Sequence, residues 1–170
     1  MAKKIERRTS KIHGNGVFAT RRIGKGNEIV EYKGRLITHD DADATYGGLD
    51  TGHTFLFTLN DKYVVDANVE GNIARWINHS CAPNCKAFTE SHKSGKKKKD
   101  RVVIEALRNI RKGEELTYDY DITVDGPISA AEKKLWACRC GVPDCRGTLL
   151  KAKTKARTKS VPKGRQRKKT

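Results

Sequence analysis

Three cysteines fall within eight residues near the end of the chain, in Cys138-Arg-Cys140-Gly-Val-Pro-Asp-Cys145. Thiols spaced in this way around Gly and Pro suit a tetrahedral thiolate zinc site, and a closed structural site needs four ligands. The fourth donor must come from elsewhere, and Cys81, Cys85 and His79 are the candidates in one earlier stretch. The fold must therefore bring two distant segments together. The spacing is not the C-x2-C pair of a common zinc ribbon. The plain alternative, a set of buried free thiols, does not explain the clustering. No apolar segment follows Met-Ala-Lys-Lys-Ile-Glu-Arg-Arg. A secretory signal is therefore not expected, and neither are disulfides. No apolar run approaches the roughly 18 residues of a membrane span.

The charge is unevenly placed. The chain of 170 residues has a formal net charge of +16. Residues 151–170 carry +10, residues 92–101 carry +5 and residues 1–11 carry +4, which leaves −3 for the rest. Like-charged blocks with few large apolar side chains do not bury enough surface to offset their ordering entropy. The sequence thus predicts a slightly acidic folded body, a disordered basic tail over 151–170 and an exposed, mobile basic loop. Solubility is one role for such blocks. Binding to nucleic acid or another polyanion is the other, chiefly through the tail.

The body reads as mostly β with small helices, in several short sheets. Extended runs are expected at Val17–Thr20, Glu28–Tyr32, Arg35–Thr38, Thr54–Leu59 and Tyr63–Asp66, with Asn60-Asp61 as a hairpin turn. Ala87–Thr89 and Val102–Ala106 flank the basic loop and can pair across it. Glu115–Tyr120 is the last extended run. Helices are expected at Asp40–Tyr46, at Asn72–Asn78 with Ile73, Trp76 and Ile77 on one face, and at Ser129–Trp136. In the last of these, Ser129 and Glu132 form a capping-box pattern.

Two further motifs carry chemistry. Asn78-His79-Ser80-Cys81-Ala82-Pro83-Asn84-Cys85 places polar, small and turn-forming residues directly after an apolar stretch. Such a segment makes either a ligand cradle or a hydrogen-bonded turn. Farther on, Glu115-Leu116-Thr117-Tyr118-Asp119-Tyr120 puts two tyrosines at i and i+2. On a strand they point the same way, as the wall of a polar-aromatic pocket or as an ordinary surface pair.

Taken in order, these segments resemble the SET-domain protein lysine methyltransferases with a zinc-binding post-SET segment. The resemblance covers about residues 9–150. It rests on Ser10-Lys11-Ile12-His13-Gly14-Asn15-Gly16-Val17-Phe18-Ala19, Glu31-Tyr32-Lys33-Gly34, Asp66-Ala67, Gly71 through Cys81, Glu115–Tyr120 and the cysteine-rich end, Trp136–Leu150. It implies a basic N-terminal extension (1–8), a SET domain (9–121) with a basic loop insertion (91–101), a linker helix and post-SET zinc segment (122–150), and the tail (151–170). It also implies that one segment is threaded past another as a pseudoknot.

By the same resemblance, His13, Gly14, Asn15 and Gly16, with Asn78 and His79, hold S-adenosylmethionine. Cys81 joins Cys138, Cys140 and Cys145 around a structural zinc ion, and Cys85 is left as a free thiol. Tyr120 matches the catalytic tyrosine. Tyr118 matches the position where Tyr or Phe sets how many methyl groups are added, and a tyrosine there implies mono- or dimethylation. Tyr118 and Tyr120 line the substrate channel with Phe55, which stands where many members carry a tyrosine. The implied substrate is lysine in a basic protein, histone-like tails first. The implied setting is intracellular, at chromatin or a nucleoid, with no membrane. Ala156-Arg157-Thr158-Lys159 also looks like the start of one core-histone tail. The competing reading is a non-catalytic, zinc-stabilised module that binds chromatin or nucleic acid.

Overall fold

The computed structural model describes residues 3–47 and 54–153. The expected tail therefore lies outside the described residues from 154 onward, and Lys159 with it. Five small sheets make up the fold. Strands β1 (Ile5–Thr9) and β2 (Asn15–Ala19) form an antiparallel pair. A three-stranded sheet has β9 (Arg101–Ala106) between β3 (Glu28–Tyr32) and β8 (Cys85–Glu90). A second has β6 (Tyr63–Asp66) between β4 (Arg35–Thr38) and β5 (Leu56–Thr58). Two short parallel pairs complete the set. One joins β7 (Asn78–His79) to β10 (Thr117–Tyr118), and the other joins β11 (Ile122–Val124) to β12 (Leu150–Ala152).

Local chemistry explains where elements begin and end. Helix α1 (His39–Tyr46) is capped by Thr38, whose hydroxyl accepts from Asp41 N while the Asp41 carboxylate reaches back to Thr38 N. Helix α2 (Ala130–Leu135) uses the expected Ser129–Glu132 box in the same way. At the β5–β6 turn, the Asn60 side-chain oxygen accepts from the backbone N–H of Lys62 and Tyr63, at 3.0 and 3.1 Å. This side chain stands in for a backbone acceptor and fixes the hairpin.

Ile77, Ile104, Ile110 and Leu116 are fully buried at the centre. They come from the segment before β7, from β9, and from the two runs that lead into β10. The core therefore lies directly beneath the segments that carry the polar motifs.

Five expectations are corrected. Residues 5–8 are not an extension but most of β1, whose basic side chains face outward while Ile5 is 7% exposed. Asn72–Asn78 is not a two-turn α-helix but a short 3-10 turn, Ile73–Trp76, capped by the Asn72 side chain and followed at once by β7. The tail begins later than 151, because Lys151 and Ala152 pair in β12 and Lys153 N donates to Val124 O. Glu115–Tyr120 is consequently not the last extended run. The basic loop is exposed but tethered: Asn60 Nδ2 donates to Lys97 O and Asp100 Oδ2, and Lys97 pairs with Asp61 at 3.0 Å.

Candidate active site and metal centre

The polar motif and the tyrosine motif meet through the β7–β10 pair, which sets Asn78 beside Thr117 and His79 beside Tyr118. Asn78 is 8% exposed, and its side-chain amide faces Asn15 O at 2.9 Å, His13 O at 3.3 Å and Glu115 Oε1 at 2.9 Å. It thereby fixes the loop that carries His13–Gly16. Ser10 Oγ donates to the same Glu115 oxygen at 2.7 Å. That carboxylate explains Gly16, since a Cβ there would lie 2.3 Å from Glu115 Oε1. Gly14 adopts φ 45°, a left-handed conformation that favours glycine.

His79 is buried. Its Nδ1 accepts from Tyr120 N at 3.1 Å, which leaves the proton on Nε2, 3.4 Å from Cys81 Sγ. Burial brings its pKa down to about 4, and the charges of Arg146 and Lys151 push the same way against Asp119. The ring is thus a neutral spacer between the tyrosine segment and the cysteines. A cavity of about 190 Å³ opens beside it, walled by Ile12, His13, Asn78, His79 and Tyr120 on one side. Lys134, Leu135, Ala137, Arg139 and Leu149 of the C-terminal segment form the other wall. Amide, imidazole and phenol groups face apolar surface, with two cations beside them. This donor set suits a nucleoside that bears a carboxylate.

A second, smaller cavity also borders Tyr120. Tyr32, Phe57, Arg75, Tyr118, Tyr120 and Ile122 are among its lining residues. The Tyr118 and Tyr120 rings lie 4.9 Å apart between centroids, tilted by 45°, and Phe57 lies 6.4 Å from Tyr118. Tyr120 OH donates to Ile77 O at 2.9 Å, and Tyr32 OH to Phe55 O at 2.9 Å. Burial raises the pKa of all three phenols, so each remains a neutral hydroxyl. Phe55 does not stand in this wall. It packs edge-on against Trp76 at 5.2 Å, beneath the Arg75 guanidinium, and Phe57 takes the lining position.

The four cysteines Cys81, Cys138, Cys140 and Cys145 place their sulfurs within 4.8 Å of one another. Cys81 Sγ lies 3.8 Å from Cys138 Sγ and 3.9 Å from Cys145 Sγ. Four thiolates about 2.3 Å from a zinc ion define a tetrahedron with edges of about 3.8 Å, so the donor set fits that metal. Backbone N–H groups of Arg146 and Gly147 point at Cys81 and Cys145 sulfur. Cys85 is outside this cluster. It is fully buried, its thiol donates to Asn84 Oδ1, and burial pushes its pKa up to about 12.

With this geometry in place, the comparison with known proteins is decisive. The SET-domain model matches residues 14–121. The chain belongs to the SET-domain family. It is 44% identical over 144 residues to human histone-lysine N-methyltransferase 2B, across 82% of this chain and 5% of that protein. It is 43% identical over 143 residues to a Schizosaccharomyces pombe histone-lysine N-methyltransferase described as H3 lysine-4 specific, across 82% of this chain and 14% of that one. A solved structure, ctPRC2 in an autoinhibited conformation bound to S-adenosylmethionine, aligns with TM-score 0.62 and 30% identity. That alignment covers 71% of this chain and 15% of the other. The SET domain thus spans a small part of the length of these relatives.

Within this SET domain, the structure brings His13, Asn78, His79 and Tyr120 to one cavity, and Tyr118 and Tyr120 to the next. Several contributors had not been singled out by position: Glu115, Tyr32, Phe57, Arg75, Asp119 and Arg146. Tyr32 and Glu115 did lie inside recognised motifs. Arg75 and Arg146 carried no signal beyond adjacency to them. No helix among the described residues is long and apolar enough to cross a membrane.

Proposed function

We propose that this chain is an S-adenosylmethionine-dependent protein-lysine N-methyltransferase that adds one or two methyl groups to lysine in a basic, histone-like protein. The observation that carries the reading is the position of Tyr120, which lines both cavities. A cofactor on one side and a lysine on the other would meet at its ring.

When bound, S-adenosylmethionine supplies an electrophilic methyl group on a positively charged sulfur. His13–Gly16 and Asn78-His79 would hold it, and glycine there allows close approach of backbone. Lys134 and Arg139 stand on the same cavity wall to receive its carboxylate.

The chain's other task is to deliver a neutral amine in line. A lysine near pKa 10.4 in water is almost wholly protonated at pH 7. The walls of Tyr32, Phe57 and Tyr118 remove water, which lowers that pKa, and the rings guide the side chain inward. Tyr120 stays protonated, so it orients and polarises and is not the base. Tyr118 adds a hydroxyl to a narrow wall, which leaves less room for a nitrogen that already carries methyl groups.

Outside the basic segments 1–11, 92–101 and 151–170 the chain carries −3, which is compatible with a basic substrate. The setting that follows is chromatin or a nucleoid, with the tail beyond residue 153 available to bind a polyanion. Transfer of labelled methyl groups from the cofactor to purified histones and to a whole-cell extract tests the function. Cofactor binding with no transfer to either would instead favour a non-catalytic scaffold.

A further inference from the structure

A dense set of cations lies on the folded body, apart from both the active site and the tail. Two segments, 19–23 and 110–114, run antiparallel. Ala19 exchanges hydrogen bonds with Gly113 and Glu114, and Ile23 does so with Ile110 at 3.0 and 2.9 Å. The Ile23–Ile110 bridge brings Arg22 and Arg111 to one groove, which Arg108 also lines, while Arg21, Arg22 and Lys4 line the next. Like charges gathered at one surface repel one another. Buried Ile23 and Ile110 hold the pairing in spite of that repulsion.

The cations are exposed and unneutralised. Arg21, Arg22, Lys25, Arg111 and Lys112 are all exposed, and among the described residues none forms an ion pair. The two carboxylates nearby are already engaged. Glu114 binds Arg108, Asn84 and Arg111 N, and Glu28 holds Arg101 through two hydrogen bonds. Two open grooves, of about 610 and 350 Å³, flank the bridge, and both are lined by Arg22. Solubility does not require cations to be gathered around two adjoining grooves. A ligand with closely spaced negative charges removes the repulsion.

We propose that this face binds the phosphate backbone of double-stranded DNA. The exposed large apolar residues of the described chain are Val69, Leu107 and Leu135, none of them aromatic. The face thus offers no platform for stacked single-stranded bases, and its contacts are with phosphates. A body that grips DNA directly would present its active site to basic proteins already bound there. That last consequence rests on the methyltransferase reading; the binding itself does not.

The test uses the full chain and a fluorescent 20-base-pair duplex. The variant R22E/R111E reverses the central pair. K96E/K98E makes the same change of net charge in the basic loop at the opposite end of β9. Each lost phosphate contact lowers the salt dependence of log K by about 0.9. R22E/R111E should therefore reduce that slope by about 2 and weaken binding at least tenfold, with K96E/K98E near wild type. Thermal melting should leave R22E/R111E close to wild type, since both side chains are exposed and such surface changes cost little. Equal weakening in both variants, or none in R22E/R111E, overturns the proposal. Transfer to a free peptide should be unchanged in R22E/R111E. That readout reports the methyltransferase reading separately, because DNA binding is measured without it.

Discussion

Arg146 grips Asp119 with both arms of its guanidinium, Nη1 to Oδ2 at 2.8 Å and Nη2 to Oδ1 at 3.0 Å. Asp119 stands between Tyr118 and Tyr120, and Arg146 directly follows a cysteine of the metal cluster. The C-terminal segment is therefore tied to the tyrosine segment by charge, beside the cysteine cluster that ties it to Cys81. Lys151 adds a second cation to Asp119 at 3.0 Å. Burial alone would raise the Asp119 pKa, but hydrogen bonds from Arg146 and Lys151 hold it well below the usual carboxylate range.

Loss of this grip should loosen the cofactor wall without removing any reacting group. The pair is partly solvent-screened, so Arg146→Met should forfeit about 1 kcal/mol. Calorimetry should then show cofactor binding about fivefold weaker, while kcat at saturating cofactor changes little.

The metal centre should act in the same direction and more strongly. One wall of the 190 Å³ cavity comes from residues around the cysteines. Chelation, or Cys140→Ser, should remove one equivalent of zinc by elemental analysis and speed hydrogen exchange over 136–150. Activity should fall at least tenfold. Unchanged activity after verified metal loss would count against this role.

The hydroxyl of Tyr118 should limit the product. Mass spectrometry of product peptides should show mono- and dimethyl-lysine for the wild type. Tyr118→Phe should shift the distribution toward trimethyl-lysine, with cofactor binding unchanged. Abundant trimethyl-lysine from the wild-type chain would contradict the assignment.

Asp66 should contribute to acid sensitivity. Its side chain is fully buried and accepts from Tyr46 OH, Arg35 Nη2, Asn68 N and Asn68 Nδ2 at 2.9–3.0 Å. Burial works against its charge, yet these bonds lower its pKa. A carboxyl with a depressed folded pKa contributes stability above its unfolded value of about 3.9, and loses it as pH falls through the folded value. Asp66→Asn should cost about 2 kcal/mol at pH 7 by denaturant titration, with the gap from wild type closing below pH 4.

Much of this site was legible because chemistry was concentrated in short motifs. Tyr118 and Tyr120 at i and i+2 do lie side by side, and Cys81 does join the three C-terminal cysteines. Ser129 and Glu132 cap their helix as the pattern implied. What escaped reading depended on partners distant in sequence. Strand β1 was hidden by its Glu-Arg-Arg run, since an outward-facing strand needs only Ile5 inside. The helical pattern of Ile73, Trp76 and Ile77 was overridden because Asn78 must enter β7 to reach the His13 loop. Phe55 and Phe57 would share a face on a regular strand, but β5 begins only at Leu56, which lets Phe55 turn toward Trp76 while Phe57 faces the cavity. Arg146 found Asp119 only once the cysteines had closed the loop.

The central claim is that a cofactor and a lysine meet at Tyr120. Its most direct test is labelled methyl transfer to histone protein by the wild-type chain and by Tyr120→Phe, with cofactor affinity measured for both. The account predicts transfer by the wild type and at least a hundredfold loss in the variant, with affinity within about threefold. Undiminished transfer by Tyr120→Phe, or none by a wild-type chain shown to bind both cofactor and zinc, would contradict it.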